Sequence, residues 1–288
     1  MEIGLHVANF TYPSGPAGLA DDLTRVVVAA EEAGFSRVSV MDHVWQIAPV
    51  GPIETDMLEA YTTLGYIAAR TSTVELLAWV TAVSYREPGL LAKLVSTLDV
   101  LSKGRAMLGI GAAWNGEEAE GLGLFFPPTA ERFERLEETL QICLQMWGGS
   151  EEPYEGTHYR LARTLNVPQP LRTPPILIGG GGEKKTLRLV AQYAQACNLF
   201  GGPDVAHKLD VLRGHCEAVG RDYAEIEKTV MGPIDPGENG ENIDAVLARL
   251  KEWGELGIQS VQGGVNRPWE PGRLELVGRE IIAAAADF

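Results

Sequence analysis

Short apolar runs alternate with amphipathic helical stretches along this 288-residue chain, and the unit recurs close to eight times. Parallel strands need a crossover long enough to hold a helix, so this rhythm specifies the α/β class. The apolar runs fall at residues 3–9, 37–41, 74–83, 105–111, 176–179, 196–200, 226–231 and 258–263. Helical stretches follow at 19–33, 57–70, 90–101, 130–147, 183–194, 204–219, 242–254 and 273–286. In the second helix Leu58, Tyr61, Leu64 and Ile67 recur at helical spacing, and in the fourth Phe133, Leu136, Leu140, Leu144 and Trp147 form one stripe. Eight strand-helix pairs fit a closed (β/α)8 TIM barrel better than a doubly wound sheet. The expectation is a single domain over residues 1–288, with the turn-rich segment 148–174 as a rim insertion after the fourth strand.

Charge narrows the partners. Lys and Arg total 24 against 39 Asp and Glu, a net −15 spread through the helices, which argues against nucleic-acid or anionic-membrane partners. There is no basic segment leading into an apolar core, and no apolar run approaches the roughly 20 residues of a membrane span. A soluble cytoplasmic protein is expected. Cys143, Cys197 and Cys216 are far apart and lack zinc or redox-pair spacing, so they are read as reduced and structural.

Barrels of this kind build their sites at the C-terminal ends of strands. The sharpest candidate there is the run Ile178-Gly179-Gly180-Gly181-Gly182-Glu183-Lys184-Lys185-Thr186, a strand passing through four glycines into a helix. Close backbone approach, unpaired N–H groups at the helix start and the lysines together make a phosphate cradle. The glycine spacing is not that of a P-loop, and a flexible turn with solvated lysines is the alternative. Gly109-Ile110-Gly111-Ala112-Ala113-Trp114 is a partial dinucleotide fingerprint with Trp114 in place of the third glycine, and no helix opens directly with it. Its small residues let a planar ring lie on the backbone with Trp114 and Asn115 at the rim; barrel packing explains them equally well.

Asp42-His43 begins a loop after the second strand, where a histidine can move protons and an aspartate can accept hydrogen bonds. A loop-capping Asp beside a surface His is the other reading. His6 shares the parity that faces the barrel interior and reads as a hydrogen-bonded core histidine. His158, His207 and His215 lack metal spacing and read as structural or solvated, and no metal site is expected. The pairs Glu117-Glu118 and Glu137-Glu138 read as helical acids not placed after strands, and Ser84 lacks a nucleophile-elbow context, so hydrolase chemistry has no support.

Taken together, Val40-Met41-Asp42-His43, Arg86-Glu87-Pro88 with Thr97-Leu98-Asp99 through Lys103-Gly104-Arg105, Leu108 through Trp114, Glu131-Arg132-Phe133, Tyr154 through Tyr159 and the glycine cradle resemble the bacterial luciferase-like superfamily. The resemblance covers nearly the whole chain and is closest to the oxidoreductases that use the deazaflavin coenzyme F420. It implies that Asp42 contacts the deazaflavin, that His43 lies near the reacting carbon as the catalytic residue, and that a bulge at Val80-Thr81, often containing a non-proline cis peptide, supports the ring. It further implies that Ala112, Ala113 and Trp114 line the ring with Asn115 beside them, and that Gly180, Gly181, Gly182, Glu183 and Lys184 hold the phosphate.

One departure qualifies the resemblance: the family's sugar-phosphate dehydrogenases carry a glutamate where Trp114 stands. Trp114 instead suggests a flat apolar wall for an aromatic or enone-like substrate. The expectation is therefore an F420-dependent oxidoreductase acting on a small organic molecule, a homodimer by resemblance. An FMN-dependent monooxygenase and a non-catalytic flavin-binding protein are the alternatives.

Overall fold

The computed structural model describes residues 1–288 and places nine parallel strands around one barrel. The first half of the chain runs β1 (Glu2–Val7), α1 (Gly15–Glu32), β2 (Arg37–Val40), α2 (Ala60–Ala68), β3 (Glu75–Ala78), β4 (Thr81–Ala82), α3 (Pro88–Ser102) and β5 (Leu108–Gly111). It continues with α4 (Gly116–Gly121), α5 (Thr129–Trp147), the antiparallel pair β6 (Tyr154–Glu155) and β7 (Arg160–Leu161), β8 (Ile176–Gly179), α6 (Thr186–Tyr193), β9 (Ala196–Phe200) and α7 (Val205–Val219). The last units are β10 (Glu227–Met231), α8 (Ile243–Glu255), β11 (Ser260–Gly263) and α9 (Arg273–Leu276), the last continuing through a π-helical stretch, Val277–Ile282, to a final turn, Ala283–Ala285.

The strands follow the order β3-β2-β1-β11-β10-β9-β8-β5-β4, in which β3 and β4 are two halves of one broken strand. The circle closes where the Leu76 N–H donates to the Arg105 carbonyl at 2.9 Å and the Met107 N–H donates to the Leu76 carbonyl at 2.9 Å. Closure leaves no unpaired sheet edge, and it explains the eight-fold rhythm: nine strands minus the break give eight barrel positions.

Local chemistry moved several boundaries. α2 begins at Ala60 rather than residue 57 because the Glu59 carboxylate caps it, accepting from the Tyr61 and Thr62 N–H groups. α6 begins at Thr186 rather than residue 183, so the stretch from Gly180 to Lys185 is loop and not helix. The third apolar run is not continuous, because Trp79 and Val80 break it. A short helix, α4, opens two residues beyond Trp114 where none was expected.

Alternation sorts the side chains into two layers. Ile3, Leu5 and Val7 of β1 point outward into the large core shared with the helices, while Leu77, Trp79, Met107, Leu177 and Ala196 pack together inside the barrel. At the N-terminal floor Arg37 donates to Glu75 at 2.9 Å and to both oxygens of Glu227 at 3.0 Å, linking β2, β3 and β10 across the interior. His6 does point inward. It is buried, its Nδ1 shares a hydrogen bond with Ser39 Oγ at 2.9 Å, and its ring meets Trp79 edge-on at 4.8 Å.

Candidate active site

Parallel strands bring all their C-terminal ends to one face, and there the residues after β2, β4, β5 and β8 meet. Asp42 is buried just beyond β2. Its Oδ2 accepts from the Ala82 N–H at 2.9 Å and from Arg86 Nη1 at 2.7 Å, and its Oδ1 accepts from Arg86 Nη2 at 2.9 Å. Arg86 also reaches Glu59 at 2.6 Å and lies over the Tyr61 ring, whose hydroxyl pairs with Thr81 Oγ1 at 2.8 Å. The Asp42 carboxylate therefore braces the broken strand from below.

That break is sharper than the bulge expected at Val80-Thr81, and its cis peptide lies one bond earlier, between Trp79 and Val80. A Cβ on Gly111 or on Gly179 would stand 3.0 Å from a Val80 methyl, so glycine at both strand ends is what lets Val80 lie across the mouth between β5 and β8. Thr81 is wholly buried beneath it.

His43 projects from the loop after β2 with only 14% of its side chain exposed. Its Nδ1 lies 2.8 Å from Glu118 Oε1, and its ring meets Trp114 edge-on at 5.5 Å; Nε2 has no partner within the protein. Trp114 is 63% exposed, so one face of the indole is free at the mouth. Ala113 takes a left-handed conformation, φ 59°, and Arg132 donates from Nε to the Ala112 carbonyl at 2.8 Å, fixing the turn that carries Ala112, Ala113 and Trp114. Asn115 stands at the start of α4 without a side-chain cap bond.

Glu118 is the partner of His43 that the sequence did not disclose. Beside Glu117 it resembles any solvated helical acid, yet it is 1% exposed. Its burial depends on α4 lying close to the loop after β2, which Gly121 permits: a Cβ there would stand 2.1 Å from the Trp45 ring.

Beyond β8 the glycine run opens a cavity of about 470 Å³ lined by Phe133, Gly181, Gly182, Glu183, Lys184, Lys185 and Lys208. Gly180 turns the chain with φ +115°, a conformation other residues avoid. Lys184 and Lys185 lie ahead of α6 and have no carboxylate partner, and Lys185 Nζ rests over the Phe133 ring at 5.3 Å. Glu183 behaves differently from the other cradle residues. Its carboxylate accepts from Lys208 at 2.6 Å and His207 at 3.1 Å, and the Lys208 bond holds it below the usual carboxylate range. The Glu183 carbonyl accepts from His215 Nε2 at 2.7 Å, so two histidines read as merely structural or solvated secure this loop.

The residues suit a phosphorylated planar cofactor. A side chain at Gly182 would crowd the cradle, since a Cβ there would stand 2.7 Å from Thr186 Oγ1. The unpartnered lysines supply charge for an anion, and the bed between Val80 and Ala112 is lined by small or apolar groups. At the remaining strand ends Phe200 and Met231 are exposed, and Arg267 is engaged by Glu238 and Glu270.

Fold and site define a barrel enzyme scaffold with a glycine- and lysine-lined cavity and a histidine at one mouth. The chain belongs to the luciferase-like monooxygenase family, whose model matches residues 1–281. An F420-dependent glucose-6-phosphate dehydrogenase of Kineococcus radiotolerans is 31% identical over 269 residues, spanning 90% of this chain and 75% of that protein. Among solved structures, the coenzyme F420-dependent tetrahydromethanopterin reductase of Methanopyrus kandleri superposes with a TM-score of 0.79 at 16% identity, covering 98% of each chain. The monooxygenase RslO1 of Streptomyces bottropensis also gives 0.79, at 19% identity over 100% of this chain and 99% of that one. No helix is long and apolar enough to cross a membrane.

Proposed function

We propose that this protein is a coenzyme F420-dependent oxidoreductase that transfers hydride between the deazaflavin and a small, uncharged organic substrate. The observation that carries this reading is the pairing, on one barrel face, of a cradle holding two unpartnered lysines with a histidine whose Nε2 is free. The sequence relative named F420-dependent supports the choice of deazaflavin. The cofactor supplies the hydride chemistry; the protein supplies orientation and the proton.

In this reading Gly180, Gly181, Gly182 and Lys184, with Lys185, hold the phosphate and the anionic tail, while Glu183 keeps its carboxylate on Lys208 and contributes through its backbone. Val80, Ala112 and Ala113 form the bed of the ring, with the buried Thr81 supporting Val80 from beneath rather than touching the ring, and Asp42 holding that bed in shape through Ala82 and Arg86. Asn115 and Trp114 border it. His43 exchanges a proton through Nε2 with a substrate oxygen brought within hydrogen-bond reach, as proton transfer requires.

Trp114, Phe200 and Met231 offer apolar walls, and Arg267 is already neutralised, so no free cation in this part of the mouth awaits a substrate phosphate. An unsaturated or aromatic substrate fits that surface better than a sugar phosphate. Assembly as a homodimer and a cytoplasmic setting belong to the same reading.

A side-by-side titration tests it. F420 should bind with micromolar or tighter affinity by fluorescence and should support turnover that His43→Ala lowers. Binding of FMN alone, with oxygen consumption when FMN is reduced, would instead establish the monooxygenase reading. Binding of F420 with turnover indifferent to His43→Ala would remove the histidine from the chemistry.

A further inference from the structure

The proposed reaction leaves one buried charge beside His43 without a task. Glu118 Oε1 receives His43 Nδ1 at 2.8 Å and the Tyr85 hydroxyl, while Oε2 receives the Trp45 backbone N–H at 3.4 Å. Three donors from three segments converge on a carboxylate carried by the six-residue helix α4. Burial works against the charged form of Glu118, but the hydrogen bonds from His43 and Tyr85 prevail and hold it below the usual carboxylate range. Burial, and then the bond to Glu118, push the Tyr85 phenol upward, so the tyrosine keeps its proton and acts as donor. Glu118 is thus an acceptor with no proton of its own to give.

A carboxylate facing Nδ1 requires that nitrogen to carry a hydrogen. In the neutral ring the lone pair must then lie on Nε2, the nitrogen without a protein partner. We propose that Glu118 is the positioning residue of the site: it fixes His43 as the Nδ1–H tautomer, orients Nε2 towards the substrate, and balances the imidazolium formed when Nε2 takes a proton. Tyr85 and the Trp45 N–H hold the carboxylate in turn, and Trp114 confines the imidazole ring through the edge contact at 5.5 Å. When a substrate hydroxyl is oxidised, its proton passes to Nε2 while Glu118 remains ionised; in the reverse direction the same proton returns to the oxygen. The arrangement follows the logic of an acid-base histidine oriented by a buried carboxylate.

This inference rests on the acid-base role given to His43, and the experiment separates the two. F420 binding and the His43→Ala turnover are measured first, and they judge the functional reading alone. Ring ¹⁵N chemical shifts of His43 are then compared in the unaltered protein, Glu118→Gln and Glu118→Asp, a readout that needs no turnover. The unaltered protein should show the Nδ1–H tautomer in its neutral form. Glutamine, which can donate as well as accept, should yield a mixture or the Nε2–H form, with kcat about 10²- to 10⁴-fold lower and F420 affinity and KM within about twofold. Glu118→Asp should retain the tautomer and recover part of kcat, and Tyr85→Phe should give a smaller loss than Glu118→Gln. An unchanged tautomer in Glu118→Gln, or a kcat loss matched by equal loss of F420 binding, overturns the proposal. If Glu118→Gln does not fold, Glu118→Asp and Tyr85→Phe decide: normal kcat in both overturns it, and lowered kcat with F420 affinity retained supports it.

Discussion

His6, buried inside the barrel, is held in its neutral form by its surroundings. His6 has its pKa lowered from 6.5 to about 4, first by burial and then by the nearby His43, against an opposing hydrogen bond from Ser39. The unfolded chain therefore takes up this proton first as the pH falls. The contribution of His6 to stability is complete above about pH 6.5 and declines between there and about pH 4, by about 3 kcal/mol in all. Thermal melts of the native protein and His6→Gln should diverge in slope across this window, with the variant flatter. Parallel curves would place the acid sensitivity elsewhere. The direction of His6 was legible from strand parity, and Asp42-His43 from position after a strand. Glu118 was not legible, because its burial comes from the approach of α4 to Trp45, a contact made by a loop that periodicity does not describe. Asp42 was legible as a residue following a strand but not as a brace, since its partner Arg86 is 44 positions away in the chain.

The cradle is an element whose location could be read while its form could not. Four glycines before two lysines marked it, but a helix from residue 183 would have aimed Lys184 along a helical surface. In the structure α6 waits until Thr186, and both lysines lie on the loop beside the cavity. Their role is tested together: Lys184→Ala with Lys185→Ala should weaken F420 binding about tenfold to a hundredfold, as expected for losing charge-assisted hydrogen bonds of about 1.5–3 kcal/mol. The double variant should also bind with less dependence on salt, because screened attraction is what it has lost. Fluorescence titration at low and high ionic strength reads both effects, and an unchanged affinity would move the anion site away from this loop. The melting temperature should scarcely change, as neither lysine has an acidic partner to abandon.

At the scale of the molecule, the active mouth is held in shape by a closed circle of strands whose other end contains charge. The eight barrel positions were legible because strand-helix units recur along the chain, whereas the break in the third strand and the charged floor were not, because both depend on residues that meet only after the circle forms. Arg37 has 5% of its side chain exposed, and the carboxylates of Glu75 and Glu227 on either side hold its guanidinium protonated despite burial. Replacing such a floor with neutral groups can cost little, but removing the cation alone leaves Glu227 without its partner and Glu75 with only Arg172, at 3.0 Å, both carboxylates being about a quarter exposed. Arg37→Met should therefore destabilise the fold by about 1–3 kcal/mol, seen as a lower midpoint in urea with an unchanged slope. Adding Glu75→Gln and Glu227→Gln to that variant should restore much of the loss, because the uncompensated charges are then gone. That non-additivity separates electrostatic closure from simple packing: if Arg37→Met is neutral, or if the two glutamines deepen its loss, the floor is held by packing and the ion pairs contribute nothing to closing the barrel.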